Sequence, residues 1–171
     1  YGDSRFTDEL REHIAGRTEN KAPFLYQMAQ NTLLFKVPVD FFGKISVESG
    51  GEHPNTFNIK HVLAQVVGFA RIYAINYALE PTNTLQRIDA LLEKNVLNKA
   101  SHEEIVEAYN YLMQLRFRHQ VAMLDRSEPP DNHVNINELT HMEKEVLEKI
   151  LGQVNRLRKR ISLVGHNEIF F

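Results

Sequence analysis

A chain of 171 residues with 43% hydrophobic and 25% charged side chains is long enough for one domain with a sizeable core and too apolar for a disordered segment. Its net charge of −2 gives no global reason to bind nucleic acid or an anionic membrane. It holds no cysteine, which excludes disulfides, thiolate chemistry and cysteine zinc sites, and fits a cytoplasmic protein. The first residue is Tyr1 and no signal-peptide pattern follows, so the chain reads as a piece of something longer.

In chain order, residues 4–15 predict a first helix, with Thr7 as N-cap ahead of Asp8 and Glu9. Pro23 fits the first turn of a second helix that runs to about Phe35, with Leu25, Ala29 and Leu33 on one face. Residues 36–56 break the helical pattern at Pro38, Gly43, Gly50, Gly51 and Pro54, which predicts a short hairpin or an ordered loop. A third helix over 59–79 carries a broad apolar stripe from Ile59 to Tyr77. Gln65, Arg71 and Asn76 interrupt its apolar run, so it is a core helix and not a membrane span. A short helix over 83–95 turns Leu85, Ile88 and Leu92 inward. Two capping boxes follow, Ser101 with Glu104 and Thr140 with Glu143, opening a long helix to Asp125 and a last helix along Met142, Val146, Ile150, Val154, Leu157 and Ile161. The fold class expected is all-α: a bundle of about six helices with one non-helical insertion at 36–56.

Candidate chemistry concentrates on the long helix. Ile105, Ala108, Tyr109, Leu112 and Met113 share one side, and the same side continues into Arg116, His119 and Gln120 before Met123 restores the apolar pattern. Three polar groups at core positions need partners, since each unsatisfied one costs ~1–3 kcal/mol. A buried polar network with Arg116 paired to a carboxylate satisfies that need, and so does a helix-lined pocket for an anionic ligand. Gly50-Gly51 fits an ordinary turn as well as a close backbone approach to a ligand. Lys60 and Arg71 border the third helix as snorkelling side chains, and lie too far apart along it to clasp one phosphate. Arg87 falls on the polar side of its helix, and the basic run Arg156, Arg158, Lys159, Arg160 reads as a solvated face near a helix end. The histidines lack metal-binding spacing, and no serine elbow, Walker loop, dinucleotide fingerprint or Asp-x-Asp pair occurs.

Taken together, GGEHPNTFNIKH (50–61), ARIYAINYAL (70–79), NTLQRI (83–88) and AYNYLMQLRFRHQ (108–120) resemble the nucleotidyltransferase substrate-binding domain found C-terminal in bacterial signalling proteins, downstream of cyclic-nucleotide-binding or CBS modules. APFLYQMAQNTLLFKVPVDFFG (22–43) and PDNHVNINELTHMEKEVLEKIL (130–151) carry the same likeness, which therefore covers most of the chain. A more distant likeness reaches glutamine synthetase adenylyltransferase and the PII uridylyltransferase. The resemblance implies that residues 1–20 are the tail of a preceding nucleotidyltransferase domain or a linker helix, and that 21–171 form the helical substrate-binding domain. It looks as if the catalytic acidic residue lies upstream of Tyr1, so this stretch would be inactive alone and hold no cofactor or metal. Mg²⁺ and a nucleoside triphosphate would belong to the full-length protein. The implied partners are the upstream domain and a protein substrate, with neither nucleic acid nor membrane. Carried over position by position, the likeness marks Gly50, Gly51, Lys60, Arg71, Asn83, Thr84, Arg87, Arg116, His119 and Gln120 as substrate-binding. Asn58 departs from the aspartate usual before Ile-Lys, which removes a carboxylate from that position. The alternative from another class is a non-catalytic interaction bundle that relays a signal to a partner.

Overall fold

The computed structural model describes residues 22–47 and 49–164, with Arg5, Phe6, Glu9, Leu10 and His13 ahead of them. The helix expected over 4–15 otherwise lies outside the described residues. Among these there are five α-helices: α1 (Ala22–Leu33), α2 (Ile59–Asn76), α3 (Thr84–Glu93), α4 (Lys99–Asp125) and α5 (His141–Ser162). Two three-residue strands, β1 (Thr56–Asn58) and β2 (His133–Asn135), form a small antiparallel sheet with Thr56 opposite Asn135, Phe57 opposite Val134 and Asn58 opposite His133. The all-α bundle expected from the sequence is the architecture observed. The strand pair was not foreseen, because three residues are too few to show an alternating pattern.

Helix α2 is central and packs on each of the other four helices. Its apolar stripe explains this: Ile59, Val62, Val66, Phe69 and Ala70 are fully buried, and large apolar side chains contribute about 1.5–3 kcal/mol each when removed from water. From α5, Leu147, Leu151, Val154 and Ile161 complete the core. Helices α1 and α2 approach so closely at Gly68 that a Cβ there would sit 2.4 Å from Cγ2 of Thr32. Helix α2 ends at Asn76, short of the expected 79, because Ala78 takes a left-handed φ of 51° and Leu79 N–H turns back to the carbonyl of Ala74. Within 36–56, Val39 bridges Ile45 and Asp40 Oδ1 accepts from the N–H groups of Phe42 and Lys44, forming the short hairpin. Lys44 ties it to Glu148 of α5 at 2.8 Å.

Two expectations need correction. The long helix does not open at a Ser101 capping box; it starts at Lys99, and Asn98 is the N-cap, its Oδ1 accepting from Ser101 N–H at 2.8 Å. Asn98 is as good a cap as serine, and starting there adds three helical residues and their hydrogen bonds. Glu104 is thereby free to pair with Arg156 of α5 at 2.9 Å. The Thr140–Glu143 box is present as expected. The basic run of α5 is likewise not simply solvated. Arg158 donates to the carbonyls of Leu33 and Phe35 at the end of α1, and Arg160 lies over the rings of Phe69 and Tyr73 at 5.3 and 5.6 Å. Helix periodicity puts Arg158 beside the seam and Arg160 on the face opposite it, but the length of each side chain lets it reach back over the core.

Candidate functional site

On α4 the inward face behaves as its sequence implies. Ile105, Ala108 and Leu112 are buried, whereas Arg116, His119, Gln120 and Met123 are half-buried on the continuation of that side. All three polar residues bond to the connection that follows the helix. Arg116 Nε donates to Asn132 Oδ1 at 2.9 Å, His119 Nε2 lies 2.7 Å from Asp131 Oδ1, and Gln120 Nε2 donates to the Asp131 carbonyl at 3.2 Å. Burial alone would push the Asp131 carboxyl up. The His119 hydrogen bond and the backbone N–H of His133, 2.8 Å away, outweigh it and hold the carboxyl below its ordinary value.

The clamp reaches the start of α2. The Asn132 carbonyl accepts from Ile59 N–H at 2.9 Å, and β2 holds β1 in register beside it. Asn58 caps α2 by accepting from His61 N–H at 3.3 Å, and its amide nitrogen lies 3.5 Å from His133 Nε2. Asparagine and aspartate cap about equally well. The departure at Asn58 therefore keeps the cap and removes only a negative charge. The His133 ring stacks on His53 at 3.7 Å, and His61 stacks on Phe35 at 4.4 Å. Burial lowers the His61 pKa, and the neighbouring His133 and Lys60 lower it further, so this corner carries a positive field.

Arg116 is the exception to full pairing. The buried-network reading expected a carboxylate partner, but its hydrogen bond goes to the neutral Asn132, and it forms no ion pair among the described residues. Its Nη groups are not sealed from solvent.

The remaining marked residues spread along the chain. Gly50 and Gly51 lie in an exposed bend, Gly51 at a φ of 87°, leading to His53. Lys60 is exposed in the first turn of α2, and Arg71 is exposed further along it. Asn83 is the N-cap of α3, accepting from Leu85 N–H at 2.9 Å, with Thr84 the first helical residue. Arg87 Nε donates to the Pro81 carbonyl at 2.9 Å. The hydrogen bonds thus gather Arg116, His119 and Gln120 with Asp131, Asn132, His133 and Asn58, and a ring stack adds His53, while the bonds of Asn83 and Arg87 to Leu85 and Pro81 stay within 81–87. Sequence reasoning missed Asp131, Asn132, His133 and His53. The one available signal was the Asp-Asn-His run directly after a proline stop. A separate cleft of about 280 Å³ opens between α4 and the start of α5, lined by Tyr111, Gln114, Leu115, Arg118 and Glu143; none of the marked residues lines it.

A family model described as "Putative nucleotidyltransferase substrate binding domain" matches residues 22–164. The chain belongs to that family. No curated protein and no solved structure matches it. The family match begins where α1 begins and ends two residues after α5, so the substrate-binding domain includes the hairpin, the clamp and every marked residue.

Proposed function

We propose that this nucleotidyltransferase substrate-binding domain is the recognition half of an enzyme that moves an adenylyl or uridylyl group onto a protein in bacterial signal transduction. A catalytic domain of the same protein would bring the metal-binding carboxylates, Mg²⁺ and the nucleoside triphosphate. The Arg116 face, with Asn83, Arg87 and the 50–60 loop, would look onto that domain's cleft in the cytoplasm. One observation carries the reading beyond family membership: the Arg116 guanidinium is fixed by one hydrogen bond and keeps charge and donors unspent. Arginine held in this way suits recognition of phosphate or carboxylate.

The test uses full-length protein, labelled ATP or UTP, Mg²⁺ and cell extract. Arg116→Ala should abolish label transfer while thermal unfolding stays cooperative. Undiminished transfer by a folded variant would remove Arg116 from the site. A second reading, the non-catalytic relay bundle, draws on exposed apolar groups. Phe41 and Phe42 are 96% and 85% exposed at the hairpin tip, and Phe117, Val121 and Leu124 share an outer face of α4. That reading expects no label transfer at all from the full-length protein.

A further inference from the structure

Arg116 is half-buried, and partial removal of a guanidinium from water has a cost that an opposite charge normally offsets. No such charge reaches it among the described residues. Asp131, adjacent to its partner Asn132, is already engaged by His119 Nε2 at 2.7 Å and by His133 N–H at 2.8 Å. Cationic or protonatable groups gather instead. Asn132 bonds both Arg116 Nε and Ile59 N–H, which sets the guanidinium beside the start of α2. Lys60 is exposed in that same turn. Asn58, the residue before α2, brings its amide to 3.5 Å from His133, on which His53 stacks. The backbone at this helix end is largely spent, because Ile59 N–H serves Asn132 and His61 N–H serves Asn58. Side chains therefore supply the attraction. The two imidazoles lie face to face at an interplanar angle of 19° and do not converge on a point, so they are not arranged as metal ligands. Each offers a ring N–H as a hydrogen-bond donor.

We propose that Arg116, Lys60, His53 and His133 form a binding site for a phosphate group. A dianion with three acceptor oxygens matches several cationic donors better than a single carboxylate does. The inference rests on the proposed function only for the source of that phosphate, which is there the triphosphate tail of a nucleotide; free phosphate or pyrophosphate shares the chemistry.

Calorimetric titration of the 171-residue chain with ATP, UTP, pyrophosphate and inorganic phosphate tests it. ATP, UTP and pyrophosphate should bind, more weakly as salt rises from about 50 to 200 mM. Tighter binding of a nucleotide than of pyrophosphate identifies the nucleotide as the source; equal binding identifies phosphate alone. Arg116→Gln should weaken binding about tenfold or more, equivalent to ~1.4 kcal/mol, with an unchanged circular-dichroism melt. Lys60→Gln, at an exposed position, should weaken it about threefold by losing one screened charge. Failure of all four ligands to bind at about 10 mM overturns the site, as does binding that both variants leave intact. If label transfer by the full-length protein depends on Arg116 while the chain binds no phosphate, this inference fails and the proposed function stands. Phosphate binding without any transfer by the full-length protein gives the reverse.

Discussion

Two places in this fold put an arginine and an amide against the core, and they use them in opposite ways. At the end of α1, fully buried Gln65 donates through Nε2 to the carbonyls of Thr32 and Phe35 at 2.7 and 2.9 Å, while Arg158 donates to those of Leu33 and Phe35. Those carbonyls lie at or just past the last turn of a helix and lack intrahelical partners. Beside β2, Arg116, His119 and Gln120 hold a connecting loop, one hydrogen bond to each side chain, and Arg116 meets a side-chain amide that water could equally satisfy. In the first network the donors are consumed by obligatory backbone groups, and only the acceptor Gln65 Oε1 stays buried without a partner. The second has donors left over. Residual capacity, more than burial or polarity, separates a brace from a site.

The largest expected effect tests the first half of this contrast. Gln65→Ala should destabilise the chain by about 3 kcal/mol, from the lost packing of a buried side chain and a bare Thr32 carbonyl. Denaturant unfolding measures it. A loss below about 1 kcal/mol would mean that water reaches those carbonyls, and the contrast would dissolve.

A smaller effect sets the two arginines against each other. Arg158→Met keeps an apolar stem but removes both carbonyl contacts, and should cost about 1.5 kcal/mol. Arg116→Met should cost no more than about 0.5 kcal/mol, because Asn132 can turn to solvent. Equal losses in parallel melts would make Arg116 a brace like its counterpart.

Much of this was legible in the sequence, for particular reasons. The stripe of α2 and the seam of α5 are long enough for a 3.6-residue period to be read, so the bundle and its central helix followed. Arg116, His119 and Gln120 stood out because they interrupt such a stripe. Their partners did not, since Asp131 and Asn132 lie in an irregular loop where no periodicity assigns a direction. Gln65 was visible only as a gap in an apolar run. A single polar residue does not say which backbone groups it will meet, and the exposed turn ending α1 is set by tertiary packing. Arg158 was assigned to solvent because helix position locates Cβ and not the end of a long side chain. The cap at Asn98 was missed because the Ser101-to-Glu104 spacing satisfies the same rule three residues later.

The smallest effect concerns Asp131, which belongs to the clamp but opposes the charge of the site. Its carboxyl is held below its ordinary value of 3.8. The native state thus binds that proton less readily than the unfolded chain. The stabilisation is fully present above about pH 4 and is lost as pH falls through the lowered native value. Asp131→Asn should cost about 1 kcal/mol or less at pH 7, since the carboxylate is over a third exposed and solvent screens it. The difference from wild type should shrink steadily as pH falls below about 4. A difference that stays constant over that range would show that Asp131 holds the loop by shape and not by charge. The same variant also separates bracing from binding. Gln120 bonds the backbone carbonyl of residue 131, which the substitution keeps, so the loop should remain in place. Removing a negative charge beside Arg116 and His133 should then raise phosphate affinity, by about twofold at 0.1 M salt, even as the fold loses stability. Loss of both together would mean that the clamp and the site are one device.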